Sequence, residues 1–166
     1  MMDTTVERAI HEQIRFELES AYLYLAMSAH FASASFPGFA RWMRIQAREE
    51  LDHATRLFDY VHNRGGRVVL QAIAQPPAAF GTPLEVFEAA LAHERKITGL
   101  IHALHETAGS RKDHATQVYL QWFISEQVEE EQNASAAVEQ LRMAAGVPAA
   151  LLVLDGRFGA RSEGGD

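Results

Sequence analysis

The sequence has no cysteine among its 166 residues. Disulfides, cysteine-ligated zinc and iron–sulfur clusters are therefore excluded, and any metal would have to be held by carboxylates, imidazoles or amides. No apolar run approaches the roughly 20 residues of a membrane span. No cluster of Lys and Arg stands out, and the balance is 15 basic against 22 acidic side chains, a net charge of -7. Such a chain is a poor match for nucleic acid and compatible with a cationic partner. The start, Met1-Met2-Asp3-Thr4-Thr5, lacks a basic stretch followed by an apolar core. No signal peptide is expected, and a cytoplasmic location is. The chain has few prolines, and they and most of the glycines fall between periodic segments.

The rest is 48% hydrophobic and rich in helix formers. That is enough for one domain, expected over 1–166, with a sizeable core. Apolar residues recur at alternating steps of three and four, the mark of helices packed in a bundle. A first helix is expected over about 5–34, opened by a Thr4/Glu7 capping box. Its stripe reads Ile10, Ile14, Glu17, Ala21, Tyr24, Ser28, Phe31. A second, about 37–64, carries Phe39, Met43, Gln46, Glu50, His53, Leu57, Tyr60. A third, about 83–109, opens with Thr82-Pro83-Leu84-Glu85 and carries Leu84, Phe87, Leu91, Glu94, Thr98, Ile101, His105. A fourth, about 111–145, carries Leu120, Phe123, Gln127, Glu130, Ala134, Ala137, Leu141. Residues 65–82 form a link long enough to run the length of a bundle. A short helix is expected over 148–158 and a mobile tail over 159–166. The fold class is all-α, a four-helix bundle with one long crossover between its second and third helices.

Each stripe is apolar at its ends and polar in the middle. Glu50 and His53 lie three apart on one helix face, and Gln127 and Glu130 repeat that spacing. Glu17 and Glu94 complete a set of four carboxylates at one level. A single mid-helix Glu reads as readily as a structural residue paired with Arg or Lys. Four together in an apolar core repel one another unless cations join them, and two divalent ions would balance four charges. Oxygen ligands with an imidazole suit iron, manganese or zinc. Tyr24 and Trp122 lie within a turn or two. Glu49, Glu126 and Glu129 adjoin the set and, with Glu130, could hold a further cation.

These residues resemble the ferritins, most closely the bacterial non-haem ferritins, across essentially the whole chain. The resemblance is strongest in Gln46-Ala47-Arg48-Glu49-Glu50-Leu51-Asp52-His53 and in Leu120-Gln121-Trp122-Phe123-Ile124-Ser125-Glu126-Gln127-Val128-Glu129-Glu130-Glu131. It implies a 24-subunit hollow cage that oxidises Fe(II) with O2 or H2O2 inside each subunit and stores Fe(III) mineral. By the same resemblance, Glu17, Glu50 and His53 are one iron's ligands. Glu50 as a bridge, Glu94 and Glu130 are the second's, with Gln127 and Tyr24 beside them. Glu49, Glu126 and Glu129, with Glu130, match the third iron site, and 148–158 matches the short fifth helix. No haem is expected, because Leu51 stands where haem-binding relatives carry Met and Gln127-x-x-Glu130 replaces a second Glu-x-x-His. The acidic positions of animal ferritin channels fall near Gln117 and Leu120, neither acidic. The alternatives are a non-storage di-iron oxidase or peroxidase, or a non-catalytic metal-binding bundle. No nucleic-acid or membrane partner is expected.

Overall fold

A computed structural model of the chain describes residues 2–162. It contains five helices: α1 (Thr4–Ser33), α2 (Pro37–Asn63), α3 (Pro83–Ser110), α4 (His114–Ala144) and α5 (Pro148–Phe158). The four long ones span 27 to 31 residues, or about 40–47 Å at 1.5 Å per residue. The chain is thus a four-helix bundle with one long crossover and a short C-terminal helix.

The local chemistry explains where the helices start. The Thr82/Glu85 capping box is formed at α3, with both reciprocal hydrogen bonds in place. At α1 the cap is Asp3 rather than Thr4: its side chain accepts from Thr5 N at 2.7 Å. Glu7 is thereby released and instead accepts from Arg67 N in the crossover. The residue before α2, Phe36, has no capping side chain. Asp155 of α5 supplies the missing acceptors, taking hydrogen bonds from Gly38 N at 3.1 Å and Phe39 N at 2.8 Å. Gly38 makes this approach feasible, because a Cβ there would lie 1.7 Å from the Asp155 carbonyl oxygen. The end of α3 falls one residue later than the Gly109-Ser110 pair suggests. Gly109 is inside the helix, where a Cβ would crowd the Gln117 side chain of α4, and the turn is made at Lys112, φ 57°.

The bundle is two antiparallel hairpins, α1–α2 and α3–α4, joined by the crossover. The hairpins meet directly where α1 packs on α3, while no described Cα of α2 comes within 8 Å of one in α4. Side chains span that wider seam, among them Gln46 to Glu130 and Tyr60 to Thr116. In the crossover Val68 packs on the bundle, whereas Val69 and Leu70 are exposed.

Two apolar clusters fill the interior. One holds Tyr24, Phe31, Phe39, Met43, Phe87 and Leu141, with Phe158 of α5 added. The other holds Ile10, Ile14, Leu57, Ile97, Ile101, Leu120 and Phe123. Leu120 is therefore core and lines no channel. The expectation of a free tail from Gly159 is corrected for its first residues: Arg161 is held against α2 by hydrogen bonds to Gln46 and Glu49. The remainder of that tail, 163–166, lies outside the described residues.

Candidate metal centre

A polar layer separates the two apolar clusters. Glu17 comes from α1, Gln46, Glu50 and His53 from α2, Glu94 from α3, and Gln127 and Glu130 from α4; all seven are buried. Each sits on the stripe its helix turns inward, so the same 3.6-residue repeat that buries the leucines and phenylalanines also buries these polar groups.

Glu17, Glu50 and His53 bring one ligand atom apiece within 4.8 Å of one another. His53 Nδ1 lies 3.5 Å from Glu50 Oε2. Glu17 Oε1 accepts from Gln13 Nε2 at 2.8 Å. The other three carboxylate oxygens of the pair, Glu17 Oε2 and both of Glu50, have no hydrogen-bond partner although they are fully buried. Buried carboxylate oxygens without donors are costly to maintain. A cation bound between them would satisfy all three, so the donor set fits a metal ion.

His53 also belongs to a second group, with Glu126 and Glu130, again within 4.8 Å. Its Nε2 faces Glu126 Oε1 at 4.0 Å, and the Trp122 ring meets it edge-on at 5.5 Å. The sequence reading had placed Glu126 in an outer set only; here it shares the imidazole with the inner one. Glu94 belongs to neither close group. The Tyr24 hydroxyl donates to its Oε1 and Gln127 Nε2 to its Oε2 at 3.2 Å. Gln46 Nε2 donates to Glu130 Oε2 at 2.8 Å. Glu49 is tied to Arg161 at 2.8 Å. Glu129 is exposed and outside both groups.

Burial dominates the electrostatics of the layer. Burial, reinforced by the charges of Glu94, Glu17 and Glu130, pushes the Glu50 carboxyl well above the usual range. Burial also lifts Glu94 to about 7, against the opposing hydrogen bonds from Tyr24 and Gln127. Glu130 rises to about 7 from burial and the Glu94 charge, with Gln46 opposing. Tyr24 is held well above its ordinary value by burial and then by Glu94, so it stays a hydrogen-bond donor. Titratable groups displaced together in one enclosed spot are characteristic of functional sites.

Gln13 and Arg161 carry no signal in the local sequence pattern, whereas Thr98 and Gln46 stand on predicted stripes. Gln13 and Thr98 support Glu17 and Gln127. Arg161 lies 112 residues from Glu49 and sits in a stretch of small residues. Gln46 takes its role from the opposite helix, where it donates to Glu130 of α4. His93 is partly buried: it pairs with Ser20 Oγ at 2.7 Å, and burial lowers it to about 4.

Comparison with known proteins extends this geometry. The family model described as "Ferritin-like domain" matches residues 7–144. A bacterial non-heme ferritin of Bacteroides fragilis is 42% identical over 161 residues, covering 97% of this chain and all of the relative. One from Staphylococcus aureus is 32% identical, covering 98% of each chain. Among solved structures, the chain is similar to an open pore ferritin from the hyperthermophilic archaeon Archaeoglobus fulgidus. The match has 44% identity and a TM-score of 0.96, covering 98% of this chain and all of that one.

Proposed function

The chain belongs to the ferritin family, and from that premise we propose that it oxidises Fe(II) at the polar layer and stores the Fe(III) as mineral inside a hollow cage of 24 copies in the cytoplasm. The single observation that supports this most is the trio of buried, unpartnered oxygens on Glu17 and Glu50 beside His53. Iron here is substrate and cargo.

In this reading Glu17, Glu50 and His53 hold one Fe(II). Glu50 also faces the second, which Glu94 and Glu130 complete, with Gln127 and Tyr24 beside it. The four carboxylates neutralise two dications, which offsets the burial and the mutual repulsion that lift Glu50, Glu94 and Glu130. The protons these groups hold at neutral pH leave as the metal arrives. Oxygen donors favour the higher charge of Fe(III), so the ligand set itself assists oxidation. Two Fe(II) give up one electron each, and O2 takes both with two protons as H2O2. Gln127 is neutral and engaged with Glu94, so the second position is the weaker of the two. Glu126 and Glu129, with Glu49 and Glu130, provide a third stop on the way inward.

The test is stopped-flow absorbance after adding a few Fe(II) per chain to metal-free protein in air, on particles sized by light scattering. The parent is expected to show a fast phase that saturates near two or three Fe(II) per chain on a cage-sized particle. Glu50→Ala and His53→Ala are expected to abolish the fast phase while the particle still assembles. Unchanged kinetics in both variants would overturn the assignment.

A further inference from the structure

Trp42, Gln46 and Glu49 lie along one side of α2, and Arg161 touches all three. Its guanidinium sits over the Trp42 ring, 4.9 Å from the centroid. Nη1 donates to Gln46 Oε1, and Nη2 donates to Glu49 Oε2 at 2.8 Å. The partnership is mostly shielded, with Arg161 18% and Glu49 21% exposed at their side chains. This is a seated cation, not a loose surface charge.

The seat is prepared by what precedes it. Asp155 fixes α5 to the first turn of α2. Phe158 packs edge-on against Phe39 and Phe87 at 5.3 and 5.4 Å. Three residues later the chain has only one short step to make before Arg161 reaches Glu49. Gln46 then links the guanidinium to the metal layer, since its amide accepts from Arg161 and donates to Glu130.

We propose that Arg161 is the chain's own cation at the inner metal position, where it competes with a third metal ion for Glu49 and so sets how tightly that ion is held. The inference rests on the metal-centre reading above. A dication ligated by Glu49 must displace the guanidinium or sit beside a like charge, and either lowers its affinity. An open cleft lined by Trp42, Asn133, Gln140 and Arg157 lies next to the guanidinium, so the displaced side chain has somewhere to go. The consequence is directional: two ions are bound firmly in the layer, and the third is held only lightly on its way to the cavity. Arg is suited to this because its planar fork reaches Gln46 and Glu49 at once, which a Lys ammonium cannot match.

The experiment is calorimetric titration of the assembled, metal-free protein with Zn(II), which binds without redox chemistry. Parent, R161Q and R161K are compared, with the first two binding steps as internal reference. In R161Q the third step is expected to tighten by about tenfold, as removal of one competing, partly screened charge implies. R161K, which restores the charge, is expected to fall back toward the parent, and the double variant R161Q/E49Q to lose the gain. A third step identical in R161Q and parent, with the first two steps intact, overturns the role given to Arg161 and leaves the metal centre standing. Absence of the first two steps in the parent would instead overturn the metal centre and this inference with it.

Discussion

The Tyr24 hydroxyl on α1 donates its hydrogen bond to Oε1 of Glu94 on α3, and Gln127 on α4 donates to the other oxygen of the same carboxylate. Glu94 is thus aimed from two sides before any metal arrives. Tyr24→Phe keeps the ring and removes only the donor. The Glu94 carboxyl, already at about 7, should rise further because one group that lowers it is gone. Metal affinity at the second position should fall by about tenfold, the free energy of one buried hydrogen bond. Fe(II) oxidation measured by stopped flow should slow most below pH 7 and approach the parent near pH 8. An equal slowing at every pH would mean that Tyr24 acts otherwise than through Glu94.

The metal-free protein should lose stability as pH rises. Glu94 and Glu130 hold their protons up to about 7 when folded, against an ordinary value of 4.5. Between those values the folded chain binds more protons than the unfolded one. The stabilisation is fully present below the unfolded value and is lost as pH climbs through the folded one, at about 1.4 kcal/mol per pH unit for each proton held. Calorimetric melting temperatures of metal-free protein should therefore fall between pH 5 and 7.5, and Zn(II) should reverse the fall. Glu50→Gln, which removes one titratable carboxyl from the group, should flatten it. A melting temperature that rises with pH across this range would contradict the burial of uncompensated carboxylates.

The clamp between α5 and α2 gives a test far from the metal. Gly38→Ala places a methyl 1.7 Å from the Asp155 carbonyl oxygen, so α5 must shift. Asp155→Ala leaves Gly38 N and Phe39 N without their acceptor. Each variant should cost about 1–3 kcal/mol by thermal unfolding, in the range for a lost helix cap or buried partner. Limited proteolysis should then cut the chain after Gly146. A C-terminal segment as resistant as in the parent would show that α5 is held by Phe158 alone.

Much of this molecule was legible because its information is local. A stripe that is apolar at both ends and polar at its middle marks a helix and its functional level together. Glu17, Glu50, His53, Glu94, Gln127 and Glu130 could all be named that way, and all are buried at one level. Helix ends were harder to place. Thr4 and Asp3 are both good caps, and with Asp3 in that role Glu7 is free to reach the crossover. What could not be read were partnerships between distant segments. Asp155 looks like a stray charge in an apolar helix until α2 is seen to start without a cap. Arg161 looks like a tail residue until Glu49 is beside it. The sharing of His53 between Glu50 and Glu126 depends on how far apart α2 and α4 stand, which no spacing within either helix encodes.

The division of the bundle into two hairpins has a consequence for quality control. The α1–α2 hairpin carries Glu17, Glu50 and His53, and the α3–α4 hairpin carries Glu94, Gln127 and Glu130. Neither half holds the complete set, and its side chains meet across the seam between the hairpins, which backbone contact closes between α1 and α3 and leaves wider between α2 and α4. In the proposed reading, a metal titration therefore reports whether the two halves have joined correctly. A chain with one half misfolded, or with its halves docked out of register, offers a fragment of the ligand set, and only the correctly joined molecule presents it whole.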